Sequence, residues 1–572
     1  MSERKSLVHG PCDPPLKALS ISQLLDEQDN KYGSREAIVA FKTGARLTYH
    51  DLNLKTKQIA RALVVDGVRS GDRVAIFLGN CEAYAEIFLA IARIGAIAVL
   101  LNRTYTPDET QNVLRSTGCS ILFISGCLGN SGSNAFLAYL DGLDQEPIAA
   151  GLPSLRRIVL VGDDHQLNSR LTPWRSFLAG ADAASLSQLS RLENSVPSST
   201  ACSFFLTSGT TGVPKIAMLT HANIINNAFL TGHRIPMSEE DIICNCLPLF
   251  HCGGLVLGLI ICIVHGACVV FPALSFSASS TVESLAAEKC TGMHGVPTMF
   301  AAVLRKRQME PSRGPLRLRT GIIGAAAFPE TLWLQIKGEF DIENLSHTYG
   351  MTETSCASFT SDPMVNYAKR MPHALTILPH TKAKVIDCGG NIVNAGQRGE
   401  LCIAGYLVQT GYFQNEEKTR EALIRDDDGT LWMRTGDEAF FDEDGHCIVT
   451  GRIKDIIIRG GENIYPTEIE DRLSQHPSVL EACVVGLPDD HLGQVVSAFI
   501  QQRPATERPS NIDLAAWVCQ TLSCHKAPVW LFWLGDEGVP SEFPLSGSGK
   551  ICKNVLEEIG QRNMHSEKGC HT

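Results

Sequence analysis

Short, continuously apolar runs alternate along this chain with stretches whose apolar residues recur every three to four positions. Residues 74–78 are the first kind, Tyr84, Ile87, Phe88, Ile91 and Ile94 the second, and residues 96–101 return to the first. Runs that are apolar at every position predict strands buried on both faces, so the alternation predicts an α/β domain with a substantially parallel sheet. Serine- and glycine-rich stretches at 125–134 and 185–200 read as surface loops. Residues 252–271 form an uncharged run of membrane-spanning length, interrupted by His265 and punctuated by Gly253, Gly254, Gly258 and Gly266. That punctuation predicts a buried helix followed by a buried strand over 267–271, with no membrane span.

The pattern changes near Gly451. Arg452, Lys454 and Asp455 precede a short strand at 456–458 and a Gly460-Gly461 turn. Pro466 with Thr467 and Glu470 then predicts a capped helix that buries Ile469 and Leu473, followed by strands at 482–485 and 495–500. The expected organisation is a large N-terminal domain over 1–451 and a small α+β C-terminal domain over 452–572.

A length of 572 residues supports more than one core. With 50 lysines and arginines against 61 acidic residues, the net charge of −11 gives no electrostatic footprint for nucleic acid or anionic lipid. The 20 cysteines lie scattered in apolar stretches without paired metal-ligand spacing, as buried small hydrophobes in a reducing compartment would. The opening MSERKSLVHGPCDPPL lacks a secretory apolar run and the closing Gly-Cys-His-Thr is not a Ser-Lys-Leu address, so the cytosol is the default expectation, with peroxisomal import left open.

The sharpest chemical signal follows the strand-like residues 202–206: Thr207, Ser208, Gly209, Thr210, Thr211, Gly212, Val213, Pro214 and Lys215. Hydroxyls and glycine amides packed this densely can wrap phosphate oxygens, and the lysine adds a positive charge. Valine and proline between Gly212 and Lys215 exclude the P-loop of kinases and ATPases, and Pro544 does the same for the Gly547-Ser548-Gly549-Lys550 string.

This loop resembles the signature of the adenylate-forming superfamily, which includes acyl-CoA synthetases, beetle luciferases and peptide-synthetase adenylation domains. The resemblance continues in order through residues 247–254 with His251, through Gly324, Ala325 and Ala326, and through Tyr349, Gly350, Met351, Thr352 and Glu353. It ends with Arg434 to Asp437, Gly451 to Asp455, Gly460 to Pro466 and Lys550, covering roughly 22–553. It implies a large multi-sheet N-terminal domain with a small mobile lid. In the family, Glu353 would help to hold Mg2+, Thr352 would sit near the phosphates, Tyr349 and the 324–326 segment would flank adenine, and Asp437 and Arg452 would hold ribose. His251 belongs to the acyl-pocket motif, Lys454 to the hinge, and Gly460 and Gly461 to the thiol channel. Lys550 would bridge the acid and the α-phosphate, although the family usually has a lysine or arginine just after the proline, where Leu545 stands here.

The implied reaction activates a carboxylic acid with MgATP to acyl-AMP and then transfers the acyl group to a thiol. Too little chain follows Lys550 for a carrier domain, so a diffusible acceptor is expected; coenzyme A is favoured, with loading of a separate carrier protein as the alternative. His251 stands where amino-acid-activating relatives carry an aspartate, which disfavours an amino acid. The small and apolar Cys252, Gly253, Gly254 and Leu255 suit a fatty, medium-chain or polyketide-like acid. The opening Val8-His9-Gly10-Pro11 with Pro14-Pro15-Leu16 is similar to fungal stand-alone ligases of secondary metabolism, so a downstream acyltransferase or synthetase is an expected partner.

Overall fold

The computed structural model describes residues 4–126, 131–141, 152–162, 171–181, 185–207, 215–309, 316, 318–326, 328, 330–361, 374–546 and 550–569. Two large sheets carry most of the N-terminal part. One has seven strands in the order Lys215–Thr220, Ala201–Thr207, Ile97–Leu100, Arg73–Phe77, Ile121–Ile124, Arg157–Leu160 and Leu171–Pro173, parallel except for the first pair. The other has nine strands and a parallel centre running from Asn344–Tyr349 through Thr320–Gly324, Gly292–Gly295, Ile242–Asn245 and Cys268–Phe271 to Glu36–Ala40.

Helices Tyr49–Val65, Glu82–Arg93 and His221–Arg234 lie between these sheets and share one apolar core with both. Val74 and Ile76 face that core while Ala75 and Phe77 face a second one on the other side. The two-residue period of the strand thus buries every position, which is why the run reads as continuously apolar.

The 252–271 window folds as expected. A helical segment ends at Gly266, which adopts φ +73° and would press a Cβ to 2.4 Å from the Tyr32 ring, and strand Cys268–Phe271 follows. Residues Leu255–Ile260 form a π-helix, an element often found beside functional sites. Its carbonyls and that of the preceding residue are met from the neighbouring sheet: His294 Nδ1 donates to the Leu257 carbonyl (2.6 Å), and Asn245 Nδ2 donates to that of Gly254 (3.3 Å). Among the described residues no helix is long and apolar enough to cross a membrane.

Three local expectations fail. The stretch 185–200 is not a loop throughout, because Ser185–Ser195 is a helix. Leu189 and Leu192, one helical turn apart, pack into the main core, and Glu193 pairs at 2.6 Å with the fully buried Arg93. Apolar spacing and this ion pair outweigh serine content; losing Glu193 would leave the buried guanidinium with Asn53 and the more distant Asp26 (3.7 Å) as its remaining partners. The stretch 125–134 likewise runs into helix Ser131–Asp141, docked through Phe136. The capping box at Thr467 and Glu470 does not form. Thr467 Oγ1 donates instead to the Thr450 carbonyl (2.8 Å), and Glu470 Oε1 accepts from Val484 N and Lys553 Nζ (2.8 and 2.7 Å).

A six-stranded antiparallel sheet contains Leu431–Phe441 and Cys447–Arg452. Beyond it a five-stranded sheet built on the Val479–Asp489 and Gly493–Gln502 hairpin has helices Pro466–Ser474 and Asn511–Cys519 on one face and Lys553–Gly569 on the other, each with its own core. This last unit carries Lys550.

Candidate active site

The site forms where strand ends of the large sheets meet the six-stranded sheet. Strand Ala201–Thr207 ends at Thr207, whose Oγ1 donates to the Lys215 carbonyl (3.3 Å), so Thr207 and Lys215 stand opposite each other as strand partners. The loop between them, with Ser208, Gly209, Thr210, Thr211 and Gly212, lies outside the described residues.

Strand Thr320–Gly324 delivers Gly324, buried against the neighbouring strand, where a Cβ would meet the Thr348 carbonyl at 2.3 Å. Ala325 follows at φ +70° and is exposed with Ala326. A non-glycine residue in the left-handed region costs about 1–2 kcal/mol and is typical of functional turns. The next strand ends at Tyr349. Gly350 then passes so close to the returning chain that a Cβ would sit 2.0 Å from the Cys356 carbonyl. Met351 leads into the single turn Thr352–Thr354, and Ser355 and Cys356 reverse the chain at φ +60° and +101°. This tight loop presents Glu353, which is 5 % exposed.

Asp437 comes from the six-stranded sheet. Its Oδ2 accepts from the Tyr349 hydroxyl at 2.6 Å and its Oδ1 lies 3.2 Å from Arg452 Nε, its neighbour in register on the next strand. Burial raises the Asp437 carboxyl above its ordinary value, against the pull of Arg452, Tyr349 and Lys550. Tyr349 is thus engaged through its hydroxyl as well as offering a ring face.

Lys550 stands next to the bridge between Leu545 and Ile551, where its amide donates to Ser546 Oγ (3.1 Å) and its carbonyl accepts from Ser546 N (2.7 Å). The residue is partly buried, and its ammonium has Arg452, Asp437, Cys356 and Glu353 as electrostatic neighbours. Burial, then repulsion from Arg452, lowers it below the ordinary lysine value, while the two carboxylates and the thiol oppose that shift. His251 lies within reach of the same charge; burial first, then Lys550, pushes it down to about 4, so the ring is neutral at physiological pH, with Nδ1 accepting from Gly253 N at 3.2 Å.

The fold therefore gathers Lys215, Tyr349, Glu353, Asp437, Arg452, His251 and Lys550, drawn from all parts of the chain. Lys454 stands apart, exposed in the single turn Ile453–Asp455. Gly460 and Gly461 make the solvent-exposed turn between strands Ile457–Arg459 and Glu462–Ile464, with the Gly460 amide bonded to the Leu492 carbonyl (2.8 Å).

Two participants escaped the sequence reading. Tyr412 donates to Glu353 Oε1 at 2.8 Å and accepts from Lys215 Nζ at 3.3 Å. Cys356 packs at the edge of the core that holds Cys252 of the acyl-pocket motif and lies in the field of Lys550. Neither residue type marks a site by itself; the aromatic flanked by Gly411 was the only local signal for the first.

Helix His221–Arg234 braces these pieces. Asn227 clamps the Ala357 backbone with two hydrogen bonds (2.6 and 3.0 Å), and Asn223 Nδ2 donates to the Tyr406 and Val408 carbonyls (2.5 and 3.3 Å).

Comparison with known proteins gives the chain its family. Residues 25–413 match the family model described as AMP-binding enzyme, and residues 468–550 match the AMP-binding enzyme C-terminal domain. An acyl-CoA ligase (sidI) of Beauveria bassiana is 42% identical over 99% of this chain and 96% of its own. A medium-chain acyl-CoA ligase of Danio rerio, named as mitochondrial, is 33% identical over 98% of this chain and 91% of its own. The crystal structure of the anthranilate CoA ligase AuaEII with anthranoyl-AMP superimposes with a TM-score of 0.81 at 24% identity, covering 97% of this chain and 99% of that one. With its two family segments in order and a full-length relative at this identity, the chain belongs to the AMP-binding enzyme family of adenylate-forming ligases.

Proposed function

We infer that this chain is an acyl-CoA ligase that uses ATP to activate a small carboxylic acid as its acyl-adenylate and then forms the thioester with coenzyme A. The observation that carries the reading is the convergence of Lys550, brought from the C-terminal part of the chain, with Asp437, Arg452, Glu353 and His251, which share its electrostatic field. One substrate carboxylate oxygen attacks the α-phosphorus of ATP and pyrophosphate leaves. Lys550 stabilises the negative charge shared by the carboxylate and the α-phosphate as the bond forms. Coenzyme A sulfur then attacks the acyl carbonyl and AMP departs as the leaving group.

Asp437 accepts the ribose hydroxyls, with Arg452 holding the carboxylate in place, and Tyr349 with Gly324, Ala325 and Ala326 borders the adenine. Lys215, with the loop from Thr207 to Gly212, takes the outer phosphates, and Thr352 lies beside them. Glu353 fits a Mg2+ ligand: it is a buried carboxylate whose one hydrogen bond among the described residues comes from Tyr412, with no lysine or arginine at ion-pair distance there. When bound, that ion would neutralise phosphate charge.

Residues 452–572 are assigned as a lid that turns about Lys454, withdrawing Lys550 and bringing Gly460 and Gly461 to the thiol path. Contacts between the two parts support a docked arrangement: Tyr465 donates to Glu438 Oε1 (3.0 Å) while Arg398 lies 4.1 Å over the Tyr465 ring. The apolar, buried surroundings of Cys252 to Leu255 and a neutral His251 support an uncharged acyl chain, of fatty, medium-chain or polyketide-like type. Cytosolic residence and supply of a downstream acyltransferase are part of the same proposal.

The test is mass-spectrometric detection of products from purified protein, MgATP, coenzyme A and a panel of fatty, aromatic and polyketide-like acids. Acyl-CoA with AMP and pyrophosphate is expected. Acyl-AMP accumulating without acyl-CoA would replace coenzyme A with a carrier protein as acceptor.

A further inference from the structure

We propose that Tyr412 is a positioning residue that keeps Lys215 and Glu353 apart and fixes Glu353 for its cation. The proposal rests on the reading of Glu353 as the Mg2+ ligand.

The backbone around Tyr412 touches both groups it would coordinate. Thr410 N and Phe413 N donate to the Met218 and Ile216 carbonyls (3.1 and 2.9 Å) and Met218 N donates to that of Gly411 (3.1 Å), adding this segment to the strand that begins with Lys215. One residue earlier, Gln409 N donates to the Glu353 carbonyl at 2.9 Å. Gly411 is needed for the bend: its φ is +141°, and a Cβ there would lie 3.0 Å from Thr419 Cγ2. The Tyr412 amide is spent on Thr419 Oγ1 at 2.9 Å, so the ring is held by backbone contacts on both sides.

The side chain is 4 % exposed and its hydroxyl lies between opposite charges. It accepts from Lys215 Nζ at 3.3 Å, with the ammonium 4.6 Å from the ring centroid, and donates to Glu353 Oε1 at 2.8 Å. A phenol hydroxyl can accept one hydrogen bond and donate another at the same time, as it does here. Interposing a neutral donor and acceptor has two effects. It prevents the lysine and the carboxylate from closing into a direct ion pair, which would cancel the charges required by phosphate and by cation. It also occupies one carboxylate oxygen and orients the other.

The experiment compares Tyr412→Phe, Glu353→Gln and the double variant as purified full chains. Titration calorimetry measures MgATP binding, metal-free AMP binding and, through pyrophosphate release, the Mg2+ concentration for half-maximal adenylation. Tyr412→Phe keeps the ring and loses only the hydroxyl, and a thermal scan shows whether it folds. Loss of a hydrogen bond to a charged group corresponds to about tenfold weaker MgATP binding and a several-fold higher Mg2+ midpoint, with AMP binding unchanged. Adding Tyr412→Phe to Glu353→Gln should then change nothing further. An unchanged Mg2+ midpoint in Tyr412→Phe, or a double variant weaker than Glu353→Gln by the full single-variant factor, would reduce Tyr412 to core packing and overturn the proposal. A Glu353→Gln protein with the native Mg2+ response would instead overturn the reading of Glu353, and the role of Tyr412 with it.

Discussion

The two carboxylates of the site are almost equally buried, at 6 % exposure for Asp437 and 5 % for Glu353, yet they are provisioned in opposite ways. Asp437 already has a guanidinium and a phenol, with Lys550 in its field. Glu353 shares the field of Lys550 but has one phenol and no directly paired cation among the described residues. A buried carboxylate that brings its own cation is finished as a structural unit and can offer spare lone pairs to neutral hydroxyls. One left short of positive charge is unfinished until a cation arrives. Equal burial therefore does not mean equal function; the difference lies in what each group lacks.

The largest effect should come from the charge that both ends share. Lys550→Ala should reduce acyl-AMP formation by about 10²–10³-fold, measured as pyrophosphate exchange, while thioester formation from supplied acyl-AMP is largely kept. Equal loss of both half-reactions would remove Lys550 from the comparison. Next, Asp437→Asn should weaken ATP and AMP alike by about tenfold, with an unchanged Mg2+ midpoint. A shifted Mg2+ requirement in that variant would break the contrast between the two ends.

A smaller effect concerns pH. Lys550 acts as a cation and its value is lowered from the ordinary lysine range near 10.4, so adenylation should fall as pH rises, at a lower pH than a solvated lysine would titrate. Lys550→Arg, if it retains activity, should remove that alkaline limb from the pH profile.

The smallest effect lies outside the site and serves as its control. Burial, with Glu470 beside it, pushes the Asp471 carboxyl up to about 7. Between the unfolded value of about 3.9 and about 7, the folded chain holds a proton that the unfolded chain has lost, so this group makes stability fall as pH rises through that window. Asp471→Asn should raise the thermal midpoint by about 1 °C at pH 8 (about 1 kcal/mol) and leave it unchanged at pH 4. Neither carboxylate of the site should register the change in ATP binding.

Much of this architecture was legible because periodicity reports burial. Residues 74–78 are apolar throughout since both faces of that strand are covered, and the Gly266 break is visible since the chain needs a left-handed turn there. The motif residues were legible for a different reason: loops of special shape need special residues, as at Gly350. What escaped depends on partners distant in sequence. Serines at 185–195 suggest a loop until Arg93, some hundred positions earlier, is found buried beneath Glu193. Thr467 and Glu470 have the spacing of a cap, yet Thr450, Val484 and Lys553 compete for them and win. Tyr412 is one aromatic among many until its contacts at 215 and 353 are known.

Helix His221–Arg234 carries one more implication. Asn227 holds the chain just past Glu353, and Asn223 holds the chain just before Tyr412. Both walls of the phosphate end are thus referred to a single mount. When that mount shifts, through thermal motion or through repacking around a differently shaped acid, the two walls are carried in the same direction by the same amount. The displacement is common-mode: it moves the site relative to the rest of the molecule while cancelling from the separation between Glu353 and Tyr412. Geometry defined by differences is protected from noise in the absolute positions, so the acyl end can be remodelled over evolution without retuning the phosphate end.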